Sequence, residues 1–258
     1  MSDSDAADDI PKVPFRLELL RSLELTPRRA ELRRLAAAGR DLIEHLVSTA
    51  ATTEQLADAA DRLEDVARIF RDLPSGQTYE GFAESANAGP VVTERRKAIA
   101  EGDFDAEQFA FFDHSPFIGL ANPMSPPIVF DYDERSVTGS VNFGSAYEGP
   151  PGCVHGGYVA AAFDELLGAT QSLSGSQGMT ARLIVNYRSP TPLKTDLTMV
   201  GSLARQDGRK LFCEGQLFAG EALCAEAEAL FITFDPERFR ALLDQRESRL
   251  DPSDSQSA

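Results

Sequence analysis

From about residue 175 to about residue 234 the chain consists of strand-like segments separated by turn residues. The strand patterns cover residues 180–188, 197–205, 210–218 and 223–233. Residues 206–209, Gln-Asp-Gly-Arg, and residues 219–221, Ala-Gly-Glu, provide the glycine that tight hairpin turns need. Strands joined by such short turns pair in antiparallel order, so this part of the chain predicts a four-stranded meander.

One further hairpin and one helical stretch precede the meander. Val137, Gly139 and Val141 alternate with polar residues after the turn at Asp133, which predicts a strand hairpin. A loop rich in Pro and Gly then leads into a helical stretch at residues 159–167. Two antiparallel strands, one helix and four more strands predict an α+β domain in which a single antiparallel sheet wraps around a central helix, the hotdog fold.

The rest of the chain lies on both sides of this domain. Residues 1–13 predict a disordered acidic tail, residues 14–100 a helical extension and linker, residues 101–236 the hotdog domain, and residues 237–258 a C-terminal helix with a polar tail. The extension therefore carries no strand pattern and precedes the sheet.

Two helix start signals stand in the extension. Thr26 and Pro27 match an N-cap followed by a first-position proline, and Thr52 with Gln55 matches a capping box. Apolar stripes follow both signals. We expect a helical hairpin that packs against the domain or against a subunit partner.

Composition excludes several classes of partner. With 41 acidic and 25 basic residues the formal charge is −16, which disfavours nucleic acid and anionic membranes as partners.

No apolar run approaches the roughly 20 residues of a membrane span. The acidic N-terminus lacks the basic and apolar regions of a secretory signal and predicts a cytoplasmic protein. Three cysteines are too few and wrongly spaced for a disulfide framework or a zinc site.

The stretch most able to carry chemistry opens the helix. Residues 152–157, Gly-Cys-Val-His-Gly-Gly, place unpaired amides and the positive end of the helix dipole where a ligand can approach closely. Asp164 follows two turns later beside the small residues Ala160 and Gly168, where a carboxylate can act as base or nucleophile on a carbonyl. The same residues also fit a glycine loop and a solvated helix carboxylate, so the pattern alone leaves both alternatives open.

Alternation in the next strand predicts one polar face. One face would carry Thr180, Arg182, Ile184, Asn186 and Arg188, and the other Ala181, Leu183, Val185 and Tyr187. The polar face fits a ligand site or the solvent-facing side of an antiparallel sheet.

Four sequence motifs, taken together, favour a ligand site over a solvent-facing sheet surface. They are His155-Gly-Gly157 with Asp164 nine positions after the histidine, Met179-Thr180, residues 186–192 (Asn-Tyr-Arg-Ser-Pro-Thr-Pro) and residues 207–210 (Asp-Gly-Arg-Lys). Together they resemble the hotdog acyl-CoA thioesterases of the phenylacetic-acid-pathway type, and most nearly the branch containing thioesterase superfamily members four and five. The resemblance covers about residues 115–235.

The resemblance implies hydrolysis of acyl-CoA thioesters to free acid and coenzyme A, with no metal or redox cofactor. It implies that Asp164 is the catalytic base or nucleophile, that the Gly156 amide binds the thioester carbonyl, and that Thr180 assists. His155 would order the loop rather than act as a general base. The implied coenzyme A contacts are Asn186, Arg188, Arg209 and Lys210, which are the local basic groups that an acidic chain needs. A site shared between subunits implies a homodimer or a dimer of dimers.

The chain departs from the family pattern at one position. Some relatives have an asparagine six residues before the histidine, where this chain has Gly149. The neighbouring Glu148 is the candidate to replace that water-orienting group. Glu165 adjoins Asp164 but points 100° further round the helix, so we expect a structural role for it.

Two other functions fit a hotdog fold. A non-catalytic acyl-CoA-binding or regulatory module would retain the fold and lose the carboxylate, which Asp164 argues against. An enoyl-CoA hydratase would need an Asp/His pair, and none of His45, His114 and His155 lies in a recognisable hydratase pattern.

Overall fold

A computed structural model of the chain describes residues 26–71, 73, 113–176 and 178–233. The tail predicted at residues 1–13, the linker before residue 100 and the C-terminal helix predicted within 237–258 lie outside the described residues.

Three helices are described, α1 (Pro27–Leu46), α2 (Thr53–Arg71) and α3 (Gly156–Gln171), together with short 3-10 turns at Ser145–Tyr147 and Ser172–Ser174. Both predicted start signals are confirmed. The Thr26 hydroxyl accepts the Arg29 amide at 3.3 Å, and Thr52 and Gln55 bond reciprocally at 2.9 and 3.3 Å as a capping box. None of the described helices is long and apolar enough to cross a membrane.

Six antiparallel strands form one sheet. They are β1 (Val129–Tyr132), β2 (Ser136–Asn142), β3 (Gly178–Tyr187), β4 (Asp196–Asp207), β5 (Lys210–Ala219) and β6 (Ala222–Thr233). Their spatial order is β1-β2-β4-β5-β6-β3, so β1 and β3 lie at the two edges. Gly208 and Gly220 have φ values of +54° and +59° in the β4–β5 and β5–β6 turns, a conformation that favours glycine. The predicted hotdog arrangement is confirmed.

The core lies between α3 and the inner face of the sheet. Phe163, Leu166 and Leu167 of α3 are completely buried against strand residues such as Met199 and Leu217. The apolar face of the helix thus covers the apolar face of the sheet, which is the main hydrophobic contribution to stability.

A bulge interrupts β3 near its beginning. Thr180 pairs with Phe231 and Arg182 pairs with Leu230, so the residue between them is unpaired. Because paired residues share a face, Thr180 lies with the buried Phe231 on the helix side and Arg182 on the outer side. The prediction that Thr180, Arg182, Ile184 and Asn186 share one face is therefore wrong, since the extra residue shifts the alternation.

Helix α1 packs on the domain through a segment that precedes β1, residues 113–125, which we call the strap. Asp113 of the strap accepts hydrogen bonds from Arg29 at 2.7 Å and from Arg33 at 2.8 Å. Burial raises the pKa of the Asp113 carboxyl, but the two arginines outweigh this and hold the pKa below its usual value. Arg40 of α1 also donates to the carbonyls of Leu120 and Asn122, at 3.1 and 2.9 Å.

Helix α2 differs from α1, because none of its residues is buried. Its apolar stripe, which includes Leu56, Leu63 and Phe70, is exposed. Of the two predicted helices, α1 is therefore the one whose packing on the domain can be seen in the described residues.

We expect Asp113→Ala to lower the free energy of unfolding by about 3 kcal/mol, because it removes the carboxylate that compensates two guanidinium groups, one of them buried. Denaturant unfolding of the full chain measures the change. The matched control is Asp58→Ala, which removes an exposed carboxylate paired with Arg62 at 3.0 Å on α2. Such exposed pairs contribute only about 0.5 kcal/mol. Equal destabilisation by the two substitutions would contradict the anchoring role of Asp113.

Candidate active site

The loop before α3 ends in a histidine N-cap. His155 has φ −60° and ψ 131°, and its Nδ1 atom accepts the Gly157 amide at 3.0 Å. The preceding amide, that of Gly156, has no acceptor among the described residues. A donor at a helix N-terminus with no internal partner is a site for a carbonyl oxygen that gains negative charge.

Close packing explains the departure at Gly149. A Cβ atom there would lie 2.7 Å from the His155 Cα, so a side chain cannot be added without moving the loop. The neighbouring Glu148 is not free to replace the missing asparagine, because its carboxylate accepts the Gly152 amide at 2.6 Å. The loop is thus closed by its own hydrogen bonds rather than by a water-orienting amide.

Tyr187 holds the first turn of α3 to the edge strand. Its hydroxyl donates to the Gly156 carbonyl at 2.7 Å, and a Cβ on Gly156 would lie 3.2 Å from that hydroxyl oxygen. Glycine at position 156 therefore allows close approach of the tyrosine ring as well as of a ligand.

Asp164 and Thr180, which the family resemblance assigns to one reaction centre, are in contact. The Thr180 hydroxyl donates to Asp164 Oδ1 at 2.9 Å. The bulge in β3 makes this possible by turning Thr180 toward the helix. Among the described residues no donor contacts the other carboxylate oxygen, so Oδ2 can act on a ligand or a water molecule.

The two pairs are separated along the helix. Gly156 and Asp164 are eight residues apart, which corresponds to about 12 Å of helix length. Gly156 with Tyr187 and Asp164 with Thr180 thus form two half-sites in one chain. A single carbonyl group cannot contact both.

The predicted coenzyme A contacts also divide into two groups. Arg188 forms an ion pair with Glu226 at 2.8 Å, at the C-terminal end of β3 with Asn186. Arg209 donates twice to the Thr233 carbonyl, at 3.1 and 2.8 Å, beside the N-terminal end of β3. Lys210 lies next to Arg209 on the outer side of the sheet. The structure does not gather these four residues within one chain.

Comparison with known proteins agrees with this architecture. The sequence model of the thioesterase superfamily matches residues 151–225. The acyl-coenzyme A thioesterase THEM4 of Xenopus laevis is 37% identical over 169 residues, which cover 65% of this chain and 69% of that protein. The chain belongs to the thioesterase superfamily.

Other members of the thioesterase superfamily extend the comparison. The acyl-coenzyme A thioesterase THEM4 of Mus musculus is 41% identical over 93 residues, which cover 35% of this chain and 40% of that protein. The match thus spans less than half the length of that relative. The crystal structure of protein RHA08564, a thioesterase superfamily protein, has 29% identity and a TM-score of 0.61, covering 78% of this chain and 94% of that one.

Two residues of this thioesterase-superfamily chain were not predicted to contribute to the site. The alternation predicts Tyr187 on the face opposite Thr180. In the structure Tyr187 lies on the helix side of β3, the same side as Thr180, Leu183 and Val185. Glu165, for which a structural role is predicted, adjoins Asp164 on α3 and is partly buried. Burial, and then the charge of Asp164, raise the pKa of Glu165 to about 7, against a hydrogen bond from Ser115 that lowers it. A carboxylate on an apolar helix next to the site was the available signal.

Proposed function

We propose that this thioesterase-superfamily chain hydrolyses acyl-CoA thioesters, releasing the free carboxylic acid and coenzyme A. The observation that carries the proposal is the 2.9 Å hydrogen bond from Thr180 to Asp164. Asp164 lies on α3, and the first amide of that helix, that of Gly156, is available to a carbonyl oxygen. Relatives that are 37% and 41% identical over the matched regions are named acyl-coenzyme A thioesterase, which supports the substrate class.

The proposed reaction begins with the thioester carbonyl oxygen accepting the Gly156 amide. The amide and the helix dipole stabilise the negative charge that develops on this oxygen. Asp164 removes a proton from the attacking water, or attacks the carbonyl carbon itself to give an anhydride that water then hydrolyses. The carbon–sulfur bond breaks, and the thiolate leaves and is protonated to coenzyme A. Thr180 keeps Asp164 oriented throughout.

The separation of the half-sites supports a homodimer. Strand β3 is an edge strand, and Met179, Ile184 and Tyr187 on it are 61%, 41% and 55% exposed. An unpaired edge of this kind can pair with the same edge of a second copy. With a two-fold axis near residues 183 and 184, Thr180 and Asp164 of one copy lie opposite Tyr187 and Gly156 of the other. A carbonyl bound there contacts the amide of one chain and the carboxylate of its partner. A dimer of dimers would repeat this unit.

The same pairing supports the coenzyme A assignment. It brings Asn186 and Arg188 of one copy toward the end of the sheet where Arg209 and Lys210 of the other copy lie. Such a basic cluster attracts the phosphate groups of coenzyme A, whereas the overall charge of −16 repels them. Basic side chains from two chains thus provide the local positive charge that the net charge of the protein does not provide.

We expect Asp164→Asn to lower kcat by about 10²- to 10⁴-fold, because an amide cannot act as an efficient base or nucleophile. KM should change much less, since the proposed coenzyme A contacts are separate from the reacting carbon. Release of free thiol from acyl-CoA esters of several chain lengths measures the rate. The matched control is Asp196→Asn, another exposed aspartate that accepts one hydrogen bond, from Asn142 at 2.9 Å. Near-normal kcat in Asp164→Asn would refute the mechanism, and a wild-type chain that binds acyl-CoA without turnover would indicate a binding module.

Mixing inactive subunits tests the shared site. Gly156→Pro removes the oxyanion amide at a first helical position where proline is tolerated, and Gly156→Ala adds a Cβ but keeps the amide. We expect heterodimers of Asp164→Asn with Gly156→Pro to recover activity, because one of their two sites carries neither defect. Rates of purified, differently tagged heterodimers measure the recovery. Well-folded heterodimers without activity would exclude the shared arrangement.

Arg188→Ala and Arg209→Ala should each raise KM for acyl-CoA by about tenfold, an effect that weakens with salt, because they remove contacts to phosphate. A short thioester without the nucleotide should be affected much less. Arg135→Ala is the matched control, since Arg135 is exposed in the turn between β1 and β2, at the other edge of the sheet. Equal losses on both substrates would assign a structural role to the two arginines.

A further inference from the structure

A second bulge lies in β4, at the same end of the sheet as the bulge in β3. Leu203 pairs with Cys213, whereas Arg205 pairs with Phe212. The residue between the two pairs, Ala204, is left unpaired. Cys213 is buried on the helix side of the sheet, so its neighbour Phe212 lies on the outer side. The bulge thus turns Arg205 outward, whereas regular alternation from Leu203 would turn it toward the core.

The two bulges place two arginines in one cross-strand row on the outer side of the sheet. The row, which we call the arginine row, crosses β3, β6, β5 and β4 as Arg182, Leu230, Phe212 and Arg205. It spans three strand spacings, or about 14 Å, with an arginine at each end and two apolar side chains between them. Neither arginine would face outward without the bulge in its own strand. Bulges that redirect side chains in this way are frequent beside functional sites.

Arg205 is stacked on the aromatic ring of the row. Its guanidinium carbon lies over the Phe212 ring, 3.5 Å from the ring centroid. The ring covers one side of the guanidinium, and because Arg205 as a whole is exposed, the other side remains open to solvent. A guanidinium plane supported from below is a surface on which a nucleobase can stack. The row therefore offers a stacking position as well as positive charge.

The basic groups at this end of the sheet have no carboxylate partner. Arg182, Arg205 and Lys210 form no ion pair with any residue in the described part of the chain. By contrast, exposed arginines of α1 and α2 such as Arg34 and Arg62 pair with a carboxylate of their own helix. In a chain with 41 acidic residues, unpaired cations gathered in one place favour an anionic ligand.

The neighbouring rows limit where phosphate groups can bind. On one side of the arginine row, Glu214 lies directly opposite Glu228, and these two like charges repel phosphate. On the other side, Lys210 lies opposite Asp207 and next to Arg209. Two cations thus outnumber one carboxylate there. The positive surface extends from the arginine row toward the turn between β4 and β5 and ends at the two glutamates.

We propose that the arginine row binds the nucleotide end of coenzyme A. The adenine ring stacks on the open side of Arg205, and Arg182 and Lys210 bind the phosphate groups. Thr180, which bonds to Asp164, lies two residues before Arg182 on the same strand, so the nucleotide and the reacting carbonyl occupy the same end of the sheet. The pantetheine arm of coenzyme A joins the two positions. The use of this subsite in catalysis rests on the proposed thioester hydrolysis, whereas nucleotide binding can be measured without turnover.

Calorimetric titration of the full chain measures the subsite directly. We expect Arg182→Ala and Arg205→Ala each to weaken binding of coenzyme A and of adenosine 3′,5′-bisphosphate by about tenfold. Binding of pantetheine, which lacks the nucleotide, should change by less than about twofold. The matched control is Arg135→Ala, which removes an exposed arginine in the turn between β1 and β2, at the other edge of the sheet. It should bind all three compounds as wild type does.

Two conservative variants separate stacking from charge. Arg205→Lys keeps the positive charge and removes the planar group, and Phe212→Leu keeps an apolar side chain and removes the ring beneath it. We expect each to weaken binding of adenosine 3′,5′-bisphosphate by about fivefold. Binding of pyrophosphate, which has charge but no base, should stay within about twofold of wild type. Equal losses for the bisphosphate and pyrophosphate would overturn the stacking of adenine on Arg205, even where an alanine variant fails to fold.

The remaining outcomes distinguish this subsite from the hydrolysis itself. Unchanged coenzyme A binding in both Arg182→Ala and Arg205→Ala would overturn the subsite, as would equal losses for coenzyme A and pantetheine. Weaker binding of the free bisphosphate with unchanged coenzyme A binding would indicate a separate nucleotide site and would overturn the assignment to coenzyme A. A chain that binds coenzyme A through these arginines but does not hydrolyse acyl-CoA would retain the subsite and reject the hydrolysis. Hydrolysis with an unchanged KM in both variants would do the reverse.

Discussion

The close approach of α3 to the middle of the sheet sets the geometry of everything else in this domain. Glycines in the two strands beneath the helix permit that approach: a Cβ on Gly201 would lie 2.2 Å from Thr170 Oγ1, and one on Gly215 would lie 3.1 Å from a Leu167 methyl. Larger residues would lift the helix from the sheet and open the core. Because the helix axis is fixed in this way, its exposed first turn and its carboxylate come within reach of the edge strand β3.

The helix is covered on its other side by parts of the chain that precede residues 151–225, the segment matched by the sequence model of the superfamily. Residues 151–225 match the thioesterase superfamily, whereas the strap and α1 precede them. The contacts there are largely polar and charged, with Asp113 between two arginines and Glu44 of α1 paired with Lys194 at 3.2 Å. Charged groups partly removed from water are stable only when they are paired and hydrogen-bonded, so this layer depends on accurate geometry more than on buried area. The N-terminal extension is thus part of the surroundings of α3.

The fold keeps the Gly156 amide and the Asp164 carboxylate apart within one chain. An α-helix advances only 1.5 Å per residue, so an amide at its start and a carboxylate two turns later cannot meet on one small group. The exposed edge of β3 offers a physical reason for this division, because pairing two copies through that edge would bring complementary half-sites together. Tyr187 and Thr180, seven residues apart on that strand, each hold one half-site in place. The edge strand therefore supports both half-sites and, in the proposed homodimer, would also be the surface for association.

Local patterns in the sequence were sufficient for the elements and for the glycine-led start of α3. Helix caps, alternation and turn glycines depend on residues close together in the chain, which is why these predictions agree with the structure. The bulge at Ala181, the contact of Tyr187 with Gly156 and the packing of Phe117 of the strap against Tyr158 of α3 were decided only by the tertiary structure. A bulge depends on how two strands distant in sequence align, and the cover over one face of α3 depends on a segment about 40 residues earlier in the chain. The periodicity of residues within one element does not specify these contacts, because they arise when separate elements pack against each other.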